Sequence, residues 1–258
     1  MIKMRHVLFI FVFIYASFYA NIAISKIVTS QIAGLWLFDE TDVNVAIDYS
    51  GNGNDGKIKS AQRVNGKFEK ALDFNGNGYV SIPDSSKLQL SDKFTMQAWF
   101  FARDIGNWRQ LIAKDNEYLL RIDPPQEENN MSAFISVAGW EPRVSAGVPP
   151  LETWTHFSAT YDGEKIRVYV NGVSMGEIAK LGNIKTTHNP VEIGRWGGGL
   201  MGDDVGYFMG MIDEVAIFNS VLTEDDILES MNGLKKYRLS VESKGKIADT
   251  WGNIKKLI

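Results

Sequence analysis

The chain has 258 residues, of which 45% are hydrophobic and 22% are charged, and this balance is typical of a folded globular protein rather than a disordered one. Its formal net charge of −4 at pH 7 argues against binding of nucleic acid or anionic lipid through bulk charge. Cysteine is absent, which excludes disulfides, thiolate zinc sites and cysteine nucleophiles.

The first 25 residues have the three parts of a secretory signal peptide. Lys3 and Arg5 form the basic region, residues 7–20 are almost wholly apolar, and small residues follow at Ala23 and Ser25. The apolar run is shorter than the roughly 20 residues that a membrane span needs. We therefore expect a secreted or cell-envelope protein whose mature chain has no membrane span. Without cleavage, the same segment would be an N-terminal anchor. An exported domain without disulfides also favours a bacterial source.

From residue 31 to residue 219 the sequence is typical of short strands separated by Gly and Asn. In residues 94–102, Phe94, Met96, Ala98 and Phe100 alternate with other residues, the period of a strand with one buried face. The strands predicted in this way are 32–38, 79–82, 94–102, 110–114, 118–122, 132–137, 154–161, 166–170, 191–194 and 209–218.

Turn residues join these strands. Asp162-Gly163 predicts a tight hairpin, and Asp115-Asn116-Glu117 predicts a second one. The run Asn75-Gly76-Asn77-Gly78 predicts a turn before the strand at 79–82. So many short strands without an alternation of strands and helices indicate an all-β, antiparallel two-sheet β-sandwich.

One short C-terminal helix is predicted after the strands. Thr223 and Asp226 are spaced as in a capping box, and Asn232-Gly233 marks the end of the helix. The predicted organisation is therefore a signal peptide at 1–25, one domain at 31–231, and a basic tail at 232–258. The tail carries Lys235, Lys236, Arg238, Lys244, Lys246, Lys255 and Lys256.

Several segments, taken together and in order, resemble a known family. They are GLWLFDE at 34–40, DYSGNGNDG at 48–56, ALDF at 71–74, GYV at 78–80, FTMQAW at 94–99, WTH at 154–156, YDG at 161–163, YVNG at 169–172 and IDEVAIFN at 212–219. This series resembles the bacterial laminin-G-like, concanavalin A-like lectin/glucanase domains, which are related to pentraxins. The resemblance covers about residues 32–231 and implies a jelly-roll sandwich, frequent calcium binding, and recognition of sugars or proteins.

Calcium is the metal that the resemblance implies, because in similar folds a structural Ca²⁺ joins the first strand to the last. Here the expected ligands are Asp39, Glu40, Asp48, Ser50 and Asp213. All of them offer the oxygen atoms that Ca²⁺ prefers. The alternative is that the Asn and Gly residues of the 48–56 loop are present only because tight turns need them. The pentraxin site for ligand-bound calcium has no counterpart after residue 194.

Tryptophan residues in loops are candidates for a ligand platform. Trp108, Trp140 and Trp196 lie outside the predicted strands, and Arg109 and Arg195 add donors beside two of the rings. Sugar rings stack their C–H faces on such side chains. The alternative is that each Trp folds over the edge of a sheet.

Catalysis has little support in the sequence. Retaining glycoside hydrolases need two carboxyl groups about 5–5.5 Å apart. No predicted strand carries acidic residues at alternate positions, and Asp213 and Glu214 are adjacent and should point to opposite faces. Outside the signal peptide the histidines are His156 and His188, too few for a zinc cluster. We therefore expect a non-catalytic extracytoplasmic binding module for glycan or protein. A structural or adhesion component of the cell surface is the alternative, followed by a divergent glycoside hydrolase.

Overall fold

The structure, a computed structural model, describes residues 27–197 and 206–238. The predicted signal peptide and most of the basic tail lie outside these residues. Within them are fourteen strands and one α-helix, as expected for the all-β class. The strands are β1 (Ile32–Trp36), β2 (Val45–Ala46), β3 (Gly56–Asn65), β4 (Lys70–Ile82), β5 (Phe94–Ala102), β6 (Arg109–Lys114), β7 (Tyr118–Ile122), β8 (Met131–Ile135), β9 (Val144–Ser145), β10 (Thr155–Tyr161), β11 (Lys165–Val170), β12 (Val173–Ala179), β13 (Val191–Ile193) and β14 (Met209–Phe218), and the helix is α1 (Glu224–Ser230). Three short 3₁₀ turns are Thr29–Gln31, Pro125–Glu127 and Lys235–Tyr237.

The strands form the two layers of a jelly-roll sandwich. One layer follows the order β12-β11-β10-β5-β14, with β1 also paired to β14, and the other follows β13-β6-β7-β8-β9. We call these the first and second layers. Strand β4 belongs to both, because Leu72–Asn75 pair with β14 while Val80–Ile82 pair with β13. All strand pairs are antiparallel, as predicted.

The core lies between the layers. Phe94 of β5 and Tyr118 of β7 meet across it with ring centroids 5.2 Å apart, and both rings are fully buried. Phe100 and Phe157 face the same interior from the first layer. The alternating apolar residues of 94–102 thus form the buried face of a core strand.

Both predicted hairpins form, whereas one predicted turn is wrong. At the β10–β11 turn, Asp162 Oδ1 accepts hydrogen bonds from the amides of Glu164 and Lys165 at 2.9 and 2.7 Å, and Gly163 has a φ of 87°. The run 75–78 lies instead inside β4, which continues through it. The partner strand β3 shifts its register between Lys59 and Ala61, and this bulge lets the strand pair continue.

Helix α1 covers the outer face of the first layer. Thr223 Oγ1 accepts from the amide of Asp226 at 3.2 Å, and Asp226 Oδ2 accepts from the amide of Thr223 at 2.9 Å, so the predicted capping box is present. Ile227 is buried against the layer, and Ser230 Oγ donates to Gln97 Oε1 at 2.9 Å. None of the helices in the described part of the chain has the length and apolar character needed to cross a bilayer.

The outer face of the second layer carries a small apolar cluster. It consists of Ala113, Leu119 and Phe134, one from each of β6, β7 and β8, with Trp140 and Trp196 packed against it. The strand register places these three residues in one row across the layer. This row supports the site described next.

Several strands begin or end together at one end of the sandwich. Ile82, Val191 and Lys114 lie side by side where β4, β13 and β6 meet. Phe218, Ile32 and Thr95 lie side by side where β14, β1 and β5 meet. The Phe94–Tyr118 contact joins these two groups across the core. The connecting segments 83–93, 115–117 and 180–190 therefore gather at this end, which we call the loop end.

Candidate functional site at the loop end

A buried ion pair stands at the centre of the site. Glu192 of β13 faces outward, opposite Ala113 of β6. Its Oε1 accepts from Arg195 Nη2 at 2.5 Å, and its Oε2 accepts from the amide of Gly197 at 2.5 Å. The Arg195 guanidinium also lies over the ring of Tyr79, 3.6 Å from its centroid. Burial lowers the pKa of Arg195, but its hydrogen bonds to Glu192 and Tyr207, together with the charge of Glu192, raise it by more, so the guanidinium keeps its charge.

An open pocket of about 210 Å³ adjoins this ion pair. Asn189 and Asp115 form its other polar wall, where Asn189 Nδ2 donates to the backbone oxygen of Asp115 at 3.0 Å. The pocket therefore offers carboxylate, amide and guanidinium groups to a ligand. Its lining residues are Asp115, Asn189, Pro190, Glu192, Arg195 and Gly197.

Two tryptophan rings lie beside the pocket. Trp196 Nε1 donates to Asp115 Oδ1 at 2.9 Å, so the ring is fixed to the pocket wall. The Trp140 ring meets it at an interplanar angle of 80°, with centroids 5.9 Å apart. Both rings are half-buried over Ala113, Leu119 and Phe134. Polar groups next to exposed aromatic surface are the combination that sugar recognition uses.

The structure divides the five predicted ligand residues between two places. Trp140, Arg195 and Trp196 come together at the loop end. Trp108 and Arg109 lie at the opposite end of β6. Asp115 follows Arg109 by six residues, and at about 3.3 Å per residue the two are about 20 Å apart. Arg109 is occupied there, since its Nη1 donates to the backbone oxygen of Tyr207 at 2.9 Å and its Nη2 binds Asp104. A single platform of three tryptophans therefore does not form.

The sequence analysis missed four residues of the site. Asp115 was assigned only to a turn, and Tyr79, Asn189 and Glu192 were not singled out. The outward position of Glu192 in a three-residue strand, next to an Arg-Trp pair, is the signal that could have found it.

Comparison with known proteins identifies the family. A laminin-G family model, that of the concanavalin A-like lectin/glucanases superfamily, matches residues 74–228, more than half of the chain. The chain belongs to this superfamily. A search of curated protein sequences returns no match.

Solved structures with the same fold include domains of larger proteins. Domain 4 of AbnA, an extracellular GH43 arabinanase of Geobacillus stearothermophilus solved in complex with arabinotriose, is 22% identical and has a TM-score of 0.62. The match covers 77% of this chain and 97% of that one. At this identity the likeness shows the fold.

Two toxin domains also share the fold. The binding domain of Paraclostridial Mosquitocidal Protein 1 is 15% identical, with a TM-score of 0.63 over 79% of this chain. The binding domain of botulinum neurotoxin serotype G is 13% identical, with a TM-score of 0.57 over 77% of this chain. The chain spans about half the length of each toxin domain, 52% and 50%.

The predicted calcium ligands of this superfamily member lie in three places. Asp48 is fixed inside its own loop, where its Oδ1 accepts from the amides of Leu35 and Ser50 and its Oδ2 accepts from the amide of Asn54. Glu40 forms an ion pair with Arg63. These carboxylates stabilise backbone geometry, and they do not converge with Asp213.

Asp213 and Asp39 do approach each other, together with Glu214. The expectation that Asp213 and Glu214 point to opposite faces is wrong, because β14 has a bulge at Glu214, where φ is 50°. Both side chains then lie outside the core, between the core-facing Ile212 and Val215. Burial raises the pKa of Asp213 to about 8, that of Glu214 to about 7 and that of Asp39 to about 6.

These carboxyl groups hold neighbouring segments in place. Asp213 Oδ2 accepts from the amide of Phe68 at 2.9 Å, and Glu214 Oε2 accepts from the amide of Leu234 at 2.5 Å. Among the described residues, no group of three or more acidic, His or Cys side chains is arranged to hold a metal ion. The five predicted ligands therefore do not fit one ion together, and calcium binding stays a prediction.

Proposed function

We propose that this protein is a non-catalytic, exported binding module whose ligand is a glycan, held at the loop end in the pocket beside Trp140 and Trp196. The observation that carries the proposal is this pocket itself. Its hydrogen-bonding groups from Asp115, Asn189 and Arg195 adjoin the Trp196 ring, which is fixed by Asp115. The polar groups suit sugar hydroxyls, and the indole faces suit sugar C–H groups.

Binding without catalysis is supported by the state of the carboxyl groups. Both oxygens of Glu192 accept hydrogen bonds within the protein. The Asp115 oxygens accept from Trp196 and Asn116. These hydrogen bonds give both carboxylates a positioning role in the protein, and each oxygen keeps a further lone pair for a ligand hydroxyl. The buried acids Asp213 and Glu214, 0% and 2% exposed, are inaccessible to a polysaccharide.

The structural neighbours support the same proposal. Domain 4 of AbnA was solved with an arabinose trisaccharide, and the toxin domains are described as binding domains. A surface component that recognises a protein is the alternative, and the toxin likenesses favour it as the second candidate.

The test is a glycan array followed by isothermal titration calorimetry with the best ligand. Trp196→Ala should weaken binding at least about fivefold, because one aromatic contact contributes more than about 1 kcal/mol. Trp108→Ala is the matched control, since it removes the same side chain at the other end of β6, and it should leave affinity unchanged. An array without any ligand would exclude glycan binding, and release of reducing ends from a polysaccharide would show an enzyme.

Calcium is proposed separately, beside Asp39 and Asp213, the two predicted ligands that approach each other. Burial is the main cause of the raised pKa of both carboxyl groups, and a bound divalent cation would stabilise the charged carboxylates that burial disfavours. Protein treated with EDTA should then release heat on titration with Ca²⁺ and melt at a higher temperature. Asp213→Asn should lose both effects, and the absence of both in the wild type would exclude the site.

A further inference from the structure

A second pocket lies at the loop end, on the side of the first layer, and the proposed function does not use it. It has a volume of about 340 Å³. Lys87 is exposed there and has no ion-pair partner within residues 27–197 and 206–238. The other polar groups are hydroxyls and side-chain amides. The lining residues are Thr29, Ser30, Ile32, Ser50, Gly51, Asn52, Lys87 and Asn219.

The 83–93 segment separates the two pockets and is bound on both sides. Lys114, which precedes Asp115 of the first pocket, donates from Nζ to Asp84 Oδ1 at 3.0 Å and to the backbone oxygen of Leu88 at 3.1 Å. On the other side, Ser85 Oγ donates to Asn54 Oδ1 at 2.6 Å, next to the loop of the second pocket. The segment is therefore a fixed ridge rather than a free loop.

The connection through Lys114 limits the distance between the pockets. Lys87 is adjacent in sequence to Leu88, and Asp115 is adjacent to Lys114. The separation between Lys87 and Asp115 is therefore at most about 20 Å. This limit is the sum of two Cα–Cα steps of about 3.8 Å, one lysine side chain and one hydrogen bond. A short oligomer could span a distance within this limit.

We infer that the ligand is a glycan chain which crosses the 83–93 segment and occupies both pockets, so that the module recognises an oligosaccharide along its length. This inference rests on the proposed function of the first pocket. Hydroxyls and amides suit neutral sugar units, and Lys87 adds a donor for sugar oxygens. Two linked contacts act together, because the second forms at the high effective concentration that the first creates.

The test is calorimetric titration with a series of one glycan, from monosaccharide to hexasaccharide. Arabino-oligosaccharides are the first probe, and xylo- and cello-oligosaccharides follow. Wild-type affinity should rise at least tenfold with chain length and then level off. Lys87→Ala with Thr29→Ala should remove this rise and leave the affinity for the shortest binding member unchanged. Lys185→Ala, an exposed lysine outside both pockets, is the control and should behave as the wild type.

The outcomes separate this inference from the proposed function. If no member of any series binds, the proposed function fails. If glycans bind through Trp196 but short and long chains bind equally well, or the double variant behaves as the wild type, the inference is overturned and the proposed function stands. Melting temperatures of all variants establish that each is folded.

Discussion

His156 is a fully buried histidine, and burial without a hydrogen-bond partner changes its pKa. Its ring lies outside the core on β10, 5.3 Å from the Trp99 ring, and neither ring nitrogen has a partner among the described residues. Burial lowers the pKa of His156 to about 3, from an ordinary value of 6.5. The ring is fully buried and therefore has a packing role in this position.

This lowered pKa predicts loss of stability in mild acid. Because the unfolded chain binds a proton near pH 6.5 and the folded chain does not, the contribution is present above pH 6.5 and is lost as the pH falls towards 3. Between pH 7 and pH 5 the free energy of unfolding should fall by about 2 kcal/mol through His156 alone. Urea unfolding of wild type and His156→Leu at both pH values measures the difference.

The matched control for this prediction is Ser158→Ala, because Ser158 is a buried residue of the same strand and carries no titratable group. It should keep the pH dependence of the wild type. Equal slopes for wild type and His156→Leu would contradict the prediction. The comparison of slopes also cancels the opposite contribution of the buried acids Asp213 and Glu214, which is the same in both proteins.

The tryptophans show how far single residues of the site could be predicted. Residue type and loop position predicted three of the residues that gather at the loop end, namely Trp140, Arg195 and Trp196. The predicted strand at 110–114 places Trp108 at one end, but sequence could not show that Trp196 lies at the other end beside Asp115, because this depends on the pairing of β13 with β6. Trp154 is half-buried on the outer face, against Phe101.

At the scale of elements, strand β14 departs from the simple alternation of faces. The bulge at Glu214 inserts one residue and turns two acidic side chains to the same side. Alternation is all that a single sequence offers, and a bulge with a non-glycine residue at positive φ cannot be recognised from it. The acidic group near Asp39 was therefore expected only in part.

The same strand predicts a sensitive glycine. Gly210 has a φ of 145°, and a Cβ added there would lie 2.0 Å from the backbone oxygen of Phe101 on β5. Gly210→Ala must therefore separate two central strands and should destabilise the fold by more than roughly 3 kcal/mol. The free energy of unfolding in urea is the measurement.

Gly53→Ala distinguishes the backbone strain of a positive φ from steric overlap with a neighbouring strand. Gly53 also has a positive φ, 79°, but nothing lies within 4 Å of its added Cβ. Gly53→Ala should lower the free energy of unfolding by only about 1–2 kcal/mol, the ordinary penalty for a residue with a side chain in the left-handed region. If the two variants were equally stable, close approach of the strands would not be the reason for glycine at 210.

At the scale of the molecule, the sequence predicted the class and the antiparallel layers better than the number of strands. The missed strands are β2, β3, β9 and β12. Strands β2 and β9 have only two residues each, and the longer β3 and β12 are mostly exposed and therefore lack a clear apolar face. Strand β12 lies at the edge of the first layer and packs little on the core. Hydrophobic periodicity predicts a strand from the apolar side chains that it buries, so a strand that buries few of them is not predicted.

The route of β4 has a consequence for the folding of the whole sandwich. Because its first half completes the first layer and its second half completes the second, neither layer keeps its pairing if the other unfolds. The two layers also share one core, in which Leu72 and Val80 are both fully buried. The described domain should therefore unfold in a single cooperative step.

Variants in the two halves of β4 test this cooperativity. Leu72→Ala removes packing in the first layer and should cost about 2–5 kcal/mol, and Val80→Ala should cost less because it removes fewer atoms. Each should lower the midpoint of one transition, which far-UV circular dichroism and tryptophan fluorescence report at the same temperature. Gln126→Ala, on an exposed 3₁₀ turn, should leave that midpoint unchanged. Two separated transitions in either core variant would mean that the layers are stable independently, and that β4 is a connection rather than a shared strand.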